Sequence, residues 1–309
     1  MEDDSTPPFV LAAPFDNIDG DVILRSSDGI DFRLHRVVLS LASGFSKQMF
    51  SLPQPDGDPQ IPVIPMAESA TLLDKALRLW YPGATPIGDT TLDELRDILD
   101  VTIAKYDIQF VVPAAKGRLR EHMSTDPVGT FILACRHEWK DVALEAARRS
   151  LAYPIRSFGI FHPQFGVPSP STQLKYATAD TYHSLLSYHA RCTDLATQAL
   201  QCPGYDEVPG EGCQNDDCTM DPTDEFSRDE GTESITLWLS ACLKLVEQTI
   251  SAAPTAHTDM GALRILAREG TEDCDHCSTR GIDQLASFLA EMRSRIDSSI
   301  DQVPLTVNF

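Results

Sequence analysis

From Ile30 to His35 the chain alternates strictly, with Ile30, Phe32 and Leu34 on one side and Asp31, Arg33 and His35 on the other. A period of two is that of a half-buried β-strand. Just upstream, Asp21 to Ser26 (DVILRS) carries branched residues suited to a buried strand, and Asp28-Gly29 between the two runs supplies a hairpin turn. The period then changes. Val37, Val38, Leu41, Phe45, Met49 and Phe50 recur at helical spacing, which predicts one apolar helix face. After a Pro/Asp/Gly loop, the run IPVIPM (residues 61–66) predicts a third strand, confined to a sheet edge by its prolines.

Beyond this point the pattern is helical. Leu72, Leu73, Ala76, Leu77, Leu79 and Trp80 predict an amphipathic helix ending at Pro82-Gly83. Thr91 and Glu94 have capping-box spacing and open a helix carrying Leu95, Ile98, Leu99 and Ile103. Asp126-Pro127 reads as an N-cap followed by proline at the first helical position, and a further helix covers 142–151. The proline-rich stretch 154–170 reads as a linker. Helices are then expected over 182–200, 233–252, 260–269 and 281–300, interrupted by an acidic loop at 201–232 in which Arg228 is the lone base. Loops of this length are either functional or disordered. The expected fold class is α+β, a small sheet capped by helices followed by a mostly α-helical domain.

Composition narrows the function classes. The 309 residues suffice for two domains, and 42% hydrophobic with 23% charged residues is ordinary for a globular protein. A formal net charge of −21 without a basic cluster argues against nucleic acid and against an anionic membrane surface. The acidic, proline-broken N-terminus lacks the pattern of a signal peptide, and no apolar run is long enough to cross a bilayer. The expected location is therefore the cytoplasm or the nucleus, where the eight cysteines stay reduced. Hydrolase elbows, phosphate-binding glycine loops and HExxH pairs are all missing, so no catalytic residue and no organic cofactor is expected.

The stretch GDVILRSSDGIDFRLHRVVLSLASGFSKQMF, with Phe32-x-x-His35, Val38-Leu39, Ser43, Phe45 and Met49-Phe50, resembles the opening of a BTB/POZ domain of the variant common in fungi. LLDKALRLWYPG is similar to that family's later helix and its Tyr-x-Gly turn, here Tyr81-Pro82-Gly83. The resemblance implies a protein–protein interaction role, with a homodimer through the BTB domain or docked protein partners. Family members that recruit cullin-type ubiquitin ligases carry a hydrophobic-x-Glu motif after the Met-Phe pair. Ser51-Leu52-Pro53-Gln54-Pro55 stands there instead, without the glutamate, so a cullin adaptor is the secondary reading. His35 and Asp21 are expected to pack or cap at the strand-to-helix junction and not to catalyse. The expected organisation is a flexible segment at 1–17, the BTB domain at 18–122, a helical extension at 123–153, the linker at 154–170 and a helical domain at 171–309.

Two cysteine pairs add chemistry to the C-terminal half. Cys213-x₄-Cys218 and Cys274-x₂-Cys277 together offer the four soft ligands of a tetrahedral structural Zn²⁺ site. The fungal relatives imply C-x₂-C pairs at both places, so one pair is loosened here. Cys192, Cys202, His189 and His276 are substitute ligands, whereas Cys135 and Cys242 lie on apolar helix faces and are expected in the core. A metal- or thiol-dependent enzyme using Cys274 and Cys277 is the alternative of another class. A thioredoxin-like site wants its CxxC after a strand, and ILAREGTED reads as a helix end.

Overall fold

The computed structural model describes residues 10–52, 61–158, 171–201, 209, 213, 218, 236–256, 258–272 and 274–307. The chain divides into two compact units, residues 1–123 and 124–309.

In the first unit, β1 (Val22–Arg25) and β2 (Asp31–Leu34) form an antiparallel hairpin in which Val22 pairs with Leu34 and Arg25 with Asp31. Gly29 takes the positive φ of 85° that the turn requires, a conformation open to glycine without steric cost. The third strand, β3 (Val63–Pro65), runs parallel to β1 at the sheet edge, where its prolines do not interrupt a central ladder. Helices α1 (Arg36–Ala42), α2 (Gly44–Ser51), α3 (Ala70–Arg78), α4 (Leu92–Leu99) and α5 (Val112–Glu121) complete the unit. Its core gathers Val22, Leu24, Phe32 and Leu34 from the sheet with Leu39, Leu73, Leu77 and Tyr81 from the helical side. The capping box forms as the sequence predicts. Thr91 Oγ1 accepts from the Glu94 N–H at 3.2 Å, and Glu94 Oε2 accepts from the Thr91 N–H at 3.0 Å.

Two features of this unit differ from expectation. The residues from Val37 to Phe50 form two helices and not one. The chain breaks at Ser43, whose hydroxyl accepts from the Ser46 N–H and donates to the Tyr106 carbonyl at 2.6 Å. The break reorients the apolar positions. Leu39 is buried and Val38 and Phe50 pack against the core, while Val37, Leu41 and Phe45 are left exposed. Periodicity reports that a face is apolar, not what covers it. The second difference lies at the N-terminus. Phe15, inside the segment expected to be flexible, is fully buried against Phe32 and Tyr81, and its carbonyl accepts from the Arg33 N–H at 2.8 Å. A single aromatic in a proline-broken stretch carries no periodic signal. Residues 1–9 lie outside the described ones.

The second unit is helical among its described residues: α6 (Pro127–Arg136), α7 (Lys140–Ser150), α8 (Ala179–Gln201), α9 (Leu237–Ala252), α10 (Met260–Glu269) and α11 (Ile282–Asp301). Asp126 caps α6 by accepting from the Gly129 N–H at 2.7 Å, with Pro127 at the first helical position. On α11, Leu285, Phe288, Met292, Ile296 and Ile300 repeat every three or four residues and are all buried. This stripe packs on α8, which also packs on α9, and α9 packs on α10. The pair α6–α7, expected as an extension of the N-terminal domain, packs instead against the turn at Thr172–Tyr176 and against α8. Nearly all of α6 is buried, from Pro127 to Cys135, so this helix needs cover on every side and α8 supplies part of it. The expected linker falls mostly on 159–170, and the acidic loop mostly on 202–235, both largely outside the described residues. Among the described residues no helix is long and apolar enough to cross a membrane.

Candidate metal centre and interaction surface

Four cysteine sulfurs converge in the second unit. The Sγ atoms of Cys213, Cys218, Cys274 and Cys277 all lie within 4.8 Å of one another, and Cys213 and Cys274 are 3.6 Å apart. The start of α9 and the end of α10 build this cluster. The Leu237 N–H, at the first residue of α9, donates to the Cys218 carbonyl at 2.8 Å and ties that cysteine to the helix N-terminus. Gly270 ends α10 hard against α9. A Cβ there would stand 2.5 Å from the Trp238 Cβ, so only glycine allows the approach. The chain continues through Thr271, whose carbonyl accepts from the Cys274 N–H at 3.0 Å, and so delivers Cys274 and Cys277 beside Cys218.

The electrostatics follow from crowding four sulfurs together. The backbone N–H of Cys277 donates to the Cys274 sulfur and lowers that thiol to about 6. Burial, with neighbouring sulfurs adding to it, pushes Cys218 up to about 12 and Cys277 up to about 11. The donor set fits a soft dication. With Zn–S bonds of about 2.3 Å, the edge of a sulfur tetrahedron is about 3.8 Å, close to the 3.6 Å between Cys213 and Cys274. That separation is also far too long for a disulfide.

The other thiols stand elsewhere. Cys135 and Cys242 are buried, as expected of core residues, and burial pushes them up to about 12 and about 11. Cys192 and His189 lie buried on α8, where His189 Nε2 is 3.1 Å from the Tyr153 carbonyl, and neither belongs to the sulfur cluster. His276 lies between the clustered cysteines in sequence but is not among the grouped ligands, and Cys202 is outside the described residues. Among the described elements, the one that comes just before Cys274 is the helix α10 and not a strand. Trp238 and Gly270 carried no signal in the sequence. Trp238 reads there as one more apolar position of α9.

In the first unit, the junction between β2 and α1 is held by hydrogen bonds. The carboxylate of Asp21 accepts from the Arg36 N–H at 2.7 Å and caps α1 from the neighbouring strand. The backbone N–H of His35 donates to Tyr81 Oη at 3.1 Å, and His35 Nδ1 lies 2.8 Å from the same oxygen. Both residues therefore act structurally at this junction. On the outer side of α1, Val37 and Leu41 are one helical turn apart and 62% and 83% exposed. Residues at this spacing share a face. Phe45 and Leu52, on and just beyond α2, are also exposed.

Comparison with curated proteins gives no match. Comparison with protein families gives one that covers the first unit, from the buried Phe15 to the end of α5: residues 15–122 match the model for the BTB/POZ domain. Such a domain is a protein-interaction module and is generally non-enzymatic. The hairpin, the capped strand-to-helix junction and the family match agree, and this chain carries a BTB/POZ domain at residues 15–122.

Proposed function

We propose that this chain is an intracellular interaction protein that forms a homodimer through its BTB/POZ domain, with a C-terminal helical unit stapled by structural zinc. The observation that carries the first half is the exposed apolar pair on α1. A helix that leaves Val37 and Leu41 in water presents a face suited to a second copy of itself. Light scattering coupled to size exclusion tests it. A particle of twice the 34.0 kDa chain mass is expected, and a mass equal to one chain at micromolar concentration rejects the dimer.

The second half is supported by the convergence of Cys213, Cys218, Cys274 and Cys277. Four thiolates fill the coordination sphere of Zn²⁺, so the metal holds structure and leaves no open position for a catalytic water. Its binding energy becomes folding energy for the segments that supply the ligands. Thiolate ligands must lose their protons, so metal is retained at neutral pH and released as acid reprotonates the sulfurs. Metal analysis of protein purified without chelator tests this reading. About one zinc per chain is expected, lost in the C274S/C277S double variant while the BTB unit stays folded, because that unit supplies no ligand. Metal-free protein with all four thiols freely alkylated rejects it.

A further inference from the structure

The core of the BTB unit holds a cavity between the sheet and the helices. Leu24 of β1, Leu39 of α1, Leu73 and Leu77 of α3, and then Val101 and Thr102, form much of its wall, and all are buried. Thr102 differs from the others in chemistry. It lies in a π-helical turn, Asp100–Lys105, a geometry found frequently at functional sites. A helical threonine ordinarily bonds its hydroxyl to a carbonyl of the preceding turn. Here the Thr102 carbonyl accepts from the Ile108 N–H at 3.0 Å, but the hydroxyl is left over. Thr102 is 1% exposed, and its Oγ1 has no hydrogen-bond partner among the described residues. A buried hydroxyl in that condition calls for an explanation.

The rest of the wall limits what could answer that hydroxyl. None of the described lining residues is charged, so an ion would shed its hydration there without a counter-charge. Two neighbouring hydroxyls are already engaged, Ser43 donating to the Tyr106 carbonyl and Tyr106 Oη donating to Glu68 at 3.1 Å. A water wants about two to four polar partners, so a wall made largely of carbon suits a carbon-rich molecule better. The cavity encloses about 60 Å³, against roughly 150 Å³ for one that takes a benzene ring, which leaves room for roughly two or three heavy atoms. The remainder of a longer molecule has a way out, because Phe45, the lining residue most open to water, is 54% exposed. We propose that this cavity is a ligand site for a short, neutral aliphatic alcohol, its oxygen hydrogen-bonded to Thr102 Oγ1 and its chain running past Phe45 toward solvent.

The test titrates the intact, methyl-labelled chain with 1-butanol and, in parallel, with 1-chlorobutane, which has a similar shape but no hydroxyl. Wild type is expected to show saturable shifts of the Leu73 and Leu77 methyl signals, with nuclear Overhauser contacts to the butanol chain. The variant T102V keeps the shape of the side chain and removes only the hydroxyl. It is expected to bind 1-butanol roughly fivefold more weakly, the weight of one neutral hydrogen bond, and to bind 1-chlorobutane as wild type does. Because the lost hydroxyl made no bond within the protein, T102V should unfold at no lower denaturant concentration than wild type. Shifts that rise linearly with 1-butanol and never saturate overturn the site. So does a water held on Thr102 that 1-butanol does not displace. Saturable binding that is equal in wild type and T102V overturns the assignment to Thr102 and the class of ligand with it.

Discussion

Tyr81 Oη is shared by two nitrogens of His35, accepting the backbone N–H at 3.1 Å and lying 2.8 Å from Nδ1. Burial raises the phenol above its ordinary value of 10.0, which keeps its proton available to the imidazole. His35, just after β2, and Tyr81, just beyond α3, are thereby fastened across 46 positions of sequence. Replacing Tyr81 by Phe leaves the ring in the core but strands a backbone N–H and Nδ1. The expected cost is about 1–3 kcal/mol of BTB-unit stability, read by denaturant unfolding. A Y81F chain as stable as wild type removes the hydroxyl from the account.

The ion pair joining α3 to α4 gives a pH-dependent contribution with a definite sign. Glu94 is hydrogen-bonded by Lys75 at 2.6 Å and by the Thr91 N–H, and these hold its carboxyl below the ordinary 4.5. A depressed carboxylate stabilises the fold fully above its unfolded value and loses that contribution as pH falls through its lowered folded value. The stability gap between wild type and E94Q should be present at neutral pH, small because the pair is partly exposed, and should close in acid. A gap independent of pH contradicts this.

Placing a charge on the exposed face of α1 tests its role in association. In L41D the carboxylate costs the monomer little, because Leu41 is already in water, but it must be desolvated if two copies meet there. The variant should run as a monomer under conditions in which wild type is dimeric. Unchanged mass would move the contact to another surface.

Cullin capture is expected to be weak or absent, because the segment following Met49-Phe50 lacks the glutamate that cullin-recruiting BTB proteins present there. Stoichiometric recovery of a cullin with wild-type bait in a pull-down would make the adaptor reading the better one.

Gly270→Ala puts a methyl group 2.5 Å from Trp238 Cβ and 3.2 Å from its Cα. Neither atom belongs to a flexible side-chain end, so α9 and α10 must part. Overpacking of this kind costs about 1–3 kcal/mol. Thermal unfolding should show the helical unit destabilised and the BTB unit unchanged. Equal melting of both would mean that the approach of the two helices can relax.

Much of this protein is determined by sequence alone, because the relevant physics is local. Strict alternation from Ile30 to His35, the Asp28-Gly29 turn, the Thr91/Glu94 box and the Asp126-Pro127 start each act over a few residues, and each appears in the structure where the pattern places it. The proximity of the two cysteine pairs was also legible, since two short-spaced pairs of thiols match the four positions of one tetrahedral centre. What only the tertiary structure decided depends on which faces meet. The apolar stripe from Val37 to Phe50 could not reveal that Ser43 divides it and leaves Val37 and Leu41 outside. Phe15 belongs to the core through a strand edge distant in sequence, and α6 and α7 join the second unit because α8 covers them. Gly270 and Trp238 look ordinary in the sequence, since a close approach of two helices exists only after the helices have packed.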